Sequence, residues 1–292
     1  MGTNSTRLLI AEQHADGSLD PVEMHDRITR LGLGFDASGN LALDAMQRVI
    51  DAILFYKTRL AMHNISEPVI FATSATRDAA NAKVFLAEIK RQTGYTPRVL
   101  SGDQEARYSF LGAASDFSIP GKGLVIDIGG GSTEFIYSNQ GRIVVANSLN
   151  IGSRRLTTRF LHHDPVTDTE RKEMIAYIQN TLRNELPSFA PETVISVGGT
   201  ACTLALMDQA TDYHNFEKAH QYRLKTENLQ NILNALSVKS IKERQSIKGL
   251  EPGRCDVILT GATIMYETLQ FFGLPSAYTS LRDLMFGVLL EP

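Results

Sequence analysis

The chain carries one short pattern twice. Gly2-Thr3-Asn4-Ser5-Thr6-Arg7-Leu8-Leu9-Ile10 aligns with Gly129-Gly130-Gly131-Ser132-Thr133-Glu134-Phe135-Ile136-Tyr137, a Gly-led turn, a Ser-Thr pair and an apolar strand in each case. A strand–turn–strand duplicated once per half predicts two related domains facing each other across a cleft, where ligands usually bind. The rest of the pattern alternates strands with helices, which indicates an α/β architecture. Strands are expected over 7–12, 21–25, 69–72 and 98–100. Helices are expected from a cap at Asn40 to about 63, over 79–92, and from 102 through 114. A Ser/Pro/Gly-rich segment over 115–123 reads as the junction between domains at 1–116 and 117–280, with a C-terminal helix over 281–292 returning to the first. In the second half, strands are expected over 124–127, 133–137, 142–149 and 194–197. Thr167 and Glu170 form a capping box for a helix to about 186. Residues 254–272 and 281–289 read as closing helices.

With 292 residues, 43% of them hydrophobic and 21% charged, the chain can bury a substantial core. No apolar run approaches the roughly 18 residues of a membrane-spanning helix, and no secretory signal opens the sequence. Cys202 and Cys255 are too few and too unpatterned for a disulfide scaffold or a zinc site. A net charge of −3 argues against a broad nucleic-acid-coating face and leaves a polyanionic ligand only local positive contacts. These features predict a cytoplasmic enzyme with no nucleic-acid or membrane partner.

Three consecutive glycines let successive backbone N–H groups converge on one point, an anion nest that no side chain blocks. Ser132 and Thr133 add hydroxyl donors. Asp127 ends the preceding apolar strand, well placed for a divalent cation, since Mg²⁺ takes one or two carboxylates plus waters and phosphate oxygens. Hairpin geometry can return Glu134 to the same pocket. The alternative is a ligand-free hairpin turn. The preceding Asp, the following Ser-Thr and the second copy at Gly2–Thr6 weigh against it. The two turns would clamp one phosphate group from opposite sides.

Asp127-Ile-Gly-Gly-Gly-Ser-Thr-Glu134 resembles the central motif of the exopolyphosphatase / guanosine pentaphosphate phosphohydrolase (Ppx/GppA) family. That family belongs to the actin–hexokinase–acetate kinase superfold. Gly2-Thr-Asn-Ser5, Ala72-Thr-Ser-Ala-Thr-Arg77-Asp78, Ser101-Gly-Asp-Gln-Glu105-Ala106, Val197-Gly-Gly-Thr200 and Gly249-Leu-Glu-Pro-Gly-Arg254 agree with it in order along nearly the whole chain. The resemblance implies two actin-like (ribonuclease H-like) domains with an interdomain cleft. It implies Glu105 as general base on an attacking water, and Asp127 and Glu134 as the Mg²⁺-associated acids. Phosphate would be held by Gly2, Thr3, Asn4, Ser5, Gly129, Gly130, Gly131, Ser132, Thr133 and Arg77, whose guanidinium can engage two oxygens. Gly198, Gly199 and Thr200 match the nucleotide-side turn, and Arg254 stands at the expected start of a helix able to receive phosphate. The residues alone allow plainer readings: an exposed helix Glu at 105, an Arg77–Asp78 surface pair, and a tight strand-to-helix joint at 198–200.

His162 and His163 read as a solvated loop. His220 falls where the family often carries His-Gly, but Gln221 replaces the glycine. Arg154, Arg155 and Arg159 line a path for a long polyanion or form a solvated helix face. The chain begins at Met1, the position equivalent to Ile128, so the repeat lacks counterparts to strand 124–126 and to Asp127. This suggests a missed upstream start or a clipped chain. The expected function is removal of terminal phosphate from inorganic polyphosphate by Mg²⁺-assisted water attack. Guanosine pentaphosphate is the alternative substrate. A phosphotransferase and a non-catalytic polyphosphate or alarmone sensor are the rivals. The arginine cluster inclines the choice to polyphosphate, and the resemblance suggests a homodimer.

Overall fold

The first hairpin sets the pattern of the N-terminal half. β1 (Ser5–Gln13) pairs antiparallel with β2 (Leu19–Ile28). In β1, Thr6, Leu8 and Ile10 are buried while the residues between them are half-exposed, the period of a strand covered on one face. That face packs on Ala52, Tyr56 and Leu60 of α1 (Leu43–Met62). The N-cap of α1 is Ala42, without a side-chain cap bond, so Asn40 does not hold the role expected of it. β3 (Phe71–Ala72) leads into a five-residue helix absent from the sequence reading, α2 (Ser74–Asp78), and then α3 (Ala82–Thr93). Phe85 and Ile89 of α3 pack with Met46, Val49, Ile50 and Ile53 of α1. β4 (Arg98–Val99) lies parallel to β3, and α4 (Gly102–Ala114) follows. Ser101 and Gln104 cap α4 reciprocally: Ser101 N–H donates to Gln104 Oε1 at 3.0 Å, and Gln104 N–H donates to Ser101 Oγ at 3.2 Å.

This computed structural model describes residues 1–35, 38–119 and 121–291. By contact the chain divides into two units, Met1–Glu105 and Ala106–Pro292, a boundary inside α4. The junction expected over 115–123 lies further along and includes Pro120, which is outside the described residues. The closing helix groups with the second unit.

In the second unit β5 (Lys122–Ile128), β6 (Thr133–Asn139) and β7 (Arg142–Leu149) form an antiparallel meander. The helices α5 (Ser153–Phe160) and α6 (Asp168–Glu185) follow, the latter opened by the expected Thr167–Glu170 capping box. β8 (Thr193–Val197) lies parallel to β5, and α7 (Gly198–Asp208) follows it directly. Next come β9 (Arg223–Lys225), α8 (Thr226–Ser237), α9 (Ile241–Arg244) and α10 (Ile258–Phe271). β10 (Ser276–Ser280) and α11 (Leu284–Leu290) complete the chain. The sheet order is β7-β6-β5-β8-β10-β9. Of the expected closing helices, the first starts at Ile258 after a 3₁₀ turn over Pro252–Arg254, and β10 precedes the second.

Two layers cover this sheet. Leu124, Ile126, Phe135 and Tyr137 meet Met174, Ile178 and Leu182 of α6 and the apolar faces of α8 and α10. On the other face Val125, Ile136, Ile195 and Val197 meet Ala106, Phe110 and Ala113 of α4. β5 is apolar on both sides because both are covered. α4 also touches α11 backbone to backbone. A Cβ on Gly112 would lie 2.0 Å from the Asp283 carbonyl oxygen, and one on Gly287 would lie 1.8 Å from that of Tyr108, so only glycine fits either place.

The duplication is visible as structure. The β1–β2 register slips between Ile10 and Ala11, and the β6–β7 register slips between Tyr137 and Ser138, the positions that the repeat aligns. Each slip leaves one valine out of the ladder, Val22 in β2 and Val144 in β7, both more than half exposed. Among the described residues no helix is long and apolar enough to cross a membrane.

Candidate active site

Both Gly-led turns close with the same bond. Gly2 N–H donates to the Ser5 carbonyl at 2.8 Å, and Gly129 N–H donates to the Ser132 carbonyl at 3.0 Å. Each turn is backed by a further glycine of its own unit. Gly32 N–H donates to Thr3 O at 2.8 Å, and a Cβ there would lie 2.3 Å from Thr3 Cγ2. A Cβ on Gly152 would lie 2.3 Å from the carbonyl carbon of Gly131 and 2.4 Å from the oxygen of Gly130. Behind the triplet, Ser153 N–H holds the Gly129 carbonyl, Arg155 N–H that of Gly130, and Arg155 Nε that of Gly131. Thr133 Oγ1 donates to Ile151 O at 2.5 Å, so this hydroxyl braces the turn instead of serving as the phosphate donor expected of it. Ser132 is buried beside it. In the first unit the Thr3 hydroxyl pairs with that of Ser74 at 2.9 Å, while the Asn4 carbonyl accepts from Thr29 N–H and Arg30 N–H.

Glu105 is not an exposed helix residue. It is 7% exposed, and Arg77 Nη1 donates to its Oε2 at 2.9 Å and to Leu100 O at 3.0 Å. The partner of Arg77 is therefore a carboxylate 28 positions away, not the adjacent Asp78 of the plainer reading. Burial raises the pKa of Glu105, and the Arg77 guanidinium and the Thr73 hydroxyl oppose that shift. Met1 stands near: its ammonium group donates to Phe71 O at 2.8 Å, burial pushes its pKa down to about 5, and the Glu105 charge pulls the other way. Glu105 is thus a desolvated carboxyl group at the head of the Gly2–Ser5 turn, with its orientation fixed by Arg77.

In the second unit Asp127 and Glu134 stand directly opposite each other in the β5–β6 register, hence on one face of the sheet. Asp127 Oδ2 accepts from Ser109 Oγ at 2.7 Å, and Glu134 Oε1 accepts from Ser148 Oγ at 2.7 Å. Two neighbouring carboxylates of which one is 1% exposed repel each other unless a proton or a cation lies between. An all-oxygen pair suits a hard divalent cation that keeps waters or phosphate oxygens in its remaining positions. No group of three or more His, Cys, Asp or Glu able to hold a metal occurs among the described residues. Gly198, at φ +83°, opens α7 against Asp127, and a Cβ there would come within 2.7 Å of Asp127 Oδ1. Thr200 Oγ1 donates to Ile128 O at 3.2 Å. The guanidinium of Arg254 covers Gly199, 2.4 Å from where a Cβ would sit, and its Nε donates to Glu251 Oε2 at 2.9 Å. Arg254 lies in the 3₁₀ turn and not on the first turn of α10, so the helix-terminus role expected of it does not arise.

The arginine cluster dissolves into separate structural roles. Arg154 is buried against Asp256 at 2.6 Å, Arg155 holds Gly131, and Arg159 lies over the rings of Phe160 and Tyr177. His163 Nδ1 and the N–H groups of His162 and His163 bind Glu170, and His220 bridges Asp116 and Leu281 N–H. The sequence reading missed Ser109 and Ser148, which hold the two acids. For Ser109 the available signal was a polar residue inside the apolar stripe Ala106, Phe110, Ala113.

The chain is similar to several known proteins. The chain is 33% identical to exopolyphosphatase 2 of Mycobacterium tuberculosis over 307 residues, covering 99% of this chain and 96% of that protein. It is 34% identical to a bifunctional 3-dehydroquinate synthase/phosphatase of Fusobacterium nucleatum, of whose length it spans 45%. It is 27% identical to a guanosine-5'-triphosphate,3'-diphosphate pyrophosphatase of Vibrio atlanticus, of which it spans 56%. Among solved structures, the Ppx/GppA enzyme of Aquifex aeolicus matches with a TM-score of 0.84 at 31% identity, covering 100% of this chain and 97% of that one. Since residues 9–291 match the family as a whole, the chain belongs to the Ppx/GppA phosphatase family.

Proposed function

We propose that this phosphatase removes the terminal phosphate of inorganic polyphosphate. The chain is a hydrolase of phosphoanhydride bonds, and the observation that carries the mechanism is Glu105, a buried carboxyl group held by Arg77. The oxygen of a water attacks the terminal phosphorus, Glu105 takes the proton, and the bond to the bridging oxygen breaks. Orthophosphate leaves, and the shortened chain departs as an anion. A raised pKa makes the Glu105 carboxylate a better proton acceptor near neutrality than an ordinary glutamate. Arg77 offers the terminal phosphate a guanidinium in exchange for part of its hold on Glu105. Asp127 and Glu134 would hold a divalent cation, most simply Mg²⁺, which supplies neutralisation of phosphate charge.

Polyphosphate is favoured over guanosine pentaphosphate by the relative that this chain matches along nearly its full length, exopolyphosphatase 2. The pyrophosphatase is matched along 56% of its length. The arginines of α5 lend no support, since each is engaged elsewhere. A cytoplasmic homodimer is the form we expect from the family.

The test is orthophosphate release with Mg²⁺ from long-chain polyphosphate and from guanosine pentaphosphate, by wild type and Glu105→Ala in parallel. Release from polyphosphate that is lost in the variant is the expected result. Release from guanosine pentaphosphate alone reassigns the substrate. Binding without release from either points to a sensor, and phosphate appearing on an acceptor points to a transferase.

A further inference from the structure

Asp127 is gripped from two sides. One oxygen, Oδ2, accepts from Ser109 Oγ at 2.7 Å, and the other lies against Gly198, whose left-handed φ of +83° brings its backbone up to the carboxylate. Ser109 is wholly buried. It is the one polar member of the α4 stripe formed with Ala106, Phe110 and Ala113, which packs on Val125, Ile136, Ile195 and Val197. A hydroxyl in such a stripe is unfavourable unless it is bonded, and here its partner is the acid. α4 is also packed closely on α11: Gly112 meets the backbone of Asp283, the N-cap of α11, and Gly287 within α11 meets the backbone of Tyr108.

From this geometry we infer that Ser109 is a positioning residue for the cation: it fixes the rotation of the Asp127 carboxylate that would hold the metal. The inference rests on the reading of Asp127 as a metal-holding acid. Glu134 receives the same treatment from Ser148 at 2.7 Å, so each acid of the pair accepts from a serine hydroxyl. Partners of this kind, one bond removed from a metal, typically change its affinity about 10–100-fold when removed.

Mn²⁺, whose electron paramagnetic resonance signal falls as it binds, is the probe. It is titrated into full-length wild type, Ser109→Ala, Ser109→Thr and Asp127→Asn. Ser109→Ala is expected to weaken Mn²⁺ binding about 10-fold or more, and Ser109→Thr, which keeps the hydroxyl, to recover most of the loss. The Mg²⁺ concentration for half-maximal phosphate release should rise with it while the KM for polyphosphate holds. Ser109→Ala binding Mn²⁺ like wild type, with Asp127→Asn defective, overturns the role of Ser109 and leaves that of Asp127. Equal losses in Ala and Thr also overturn it, since a packing defect then accounts for both. Asp127→Asn binding like wild type, or wild type taking up no Mn²⁺, refutes the metal reading itself.

Discussion

Gly32→Ala tests whether the Gly2–Ser5 turn is held by shape. The added methyl would lie 2.3 Å from Thr3 Cγ2 and 3.4 Å from Thr3 O. Two carbons attract at roughly 3.5–4.0 Å, so about 1.2 Å must be recovered against one side-chain atom. Gly32 is not in the left-handed region, and no backbone strain is added. Overpacking of this kind costs about 1–3 kcal/mol, and the stiffer unfolded chain returns about 0.4–1 kcal/mol, which leaves a net loss of about 1–2 kcal/mol. Thr3→Ser deletes Cγ2 but keeps the hydroxyl that meets Ser74. The double variant should therefore be about 0.4–1 kcal/mol more stable than Thr3→Ser alone, a coupling of about 1–3 kcal/mol in a double-mutant cycle. Gly152→Ala has no such remedy, since its methyl meets the backbone of Gly130 and Gly131. Displacing that turn by about 1 Å should lower phosphate release on the order of 100-fold. The chain has no tryptophan, so urea unfolding is followed by far-ultraviolet circular dichroism. Additive effects of Gly32→Ala and Thr3→Ser would refute the steric account.

Two further outcomes follow from groups described above. The folded-state pKa of Glu105 lies above its ordinary 4.5, so its contribution to stability is full below that value and is lost as pH rises through the raised one. Urea unfolding across pH should show wild type losing stability relative to Glu105→Gln as pH rises above 4.5, then levelling, and a flat difference would contradict the shift. Gly287→Ala forces a methyl to 1.8 Å from the Tyr108 carbonyl oxygen, and a thermal melt should reveal a loss of about 3 kcal/mol; an unchanged Tm would mean that α4 and α11 separate at little cost.

Much of the fold was legible because its signals are local. The alternation in β1, the capping box of α6 and the apolar run of β5 each declare an element within a few residues. α2 and β10 were missed because five residues are too few for a period to emerge. The candidate site divides in the same way. The placement of Asp127 opposite Glu134 follows from hairpin register. The partner of Arg77 does not follow from spacing, because Glu105 reaches it only through the packing of β3, β4 and α4. Arg154, Arg155 and Arg159 gave the appearance of a basic path for the same reason. Their partners, Asp256, Gly131 and two rings, are set by tertiary contacts that no local pattern records.

The valine left out of each hairpin ladder has a consequence for how copies of this chain behave in a crowded solution. β7 ends the six-stranded sheet, and Ile143, Val144 and Val145 stand exposed along it, the composition of a strand that templates aggregation. The bulge at Val144 twists that edge and interrupts the row of groups a second strand would need. The extra residue in β7 thus acts as a guard against fibre-like association, and its counterpart at Val22 does the same for β2.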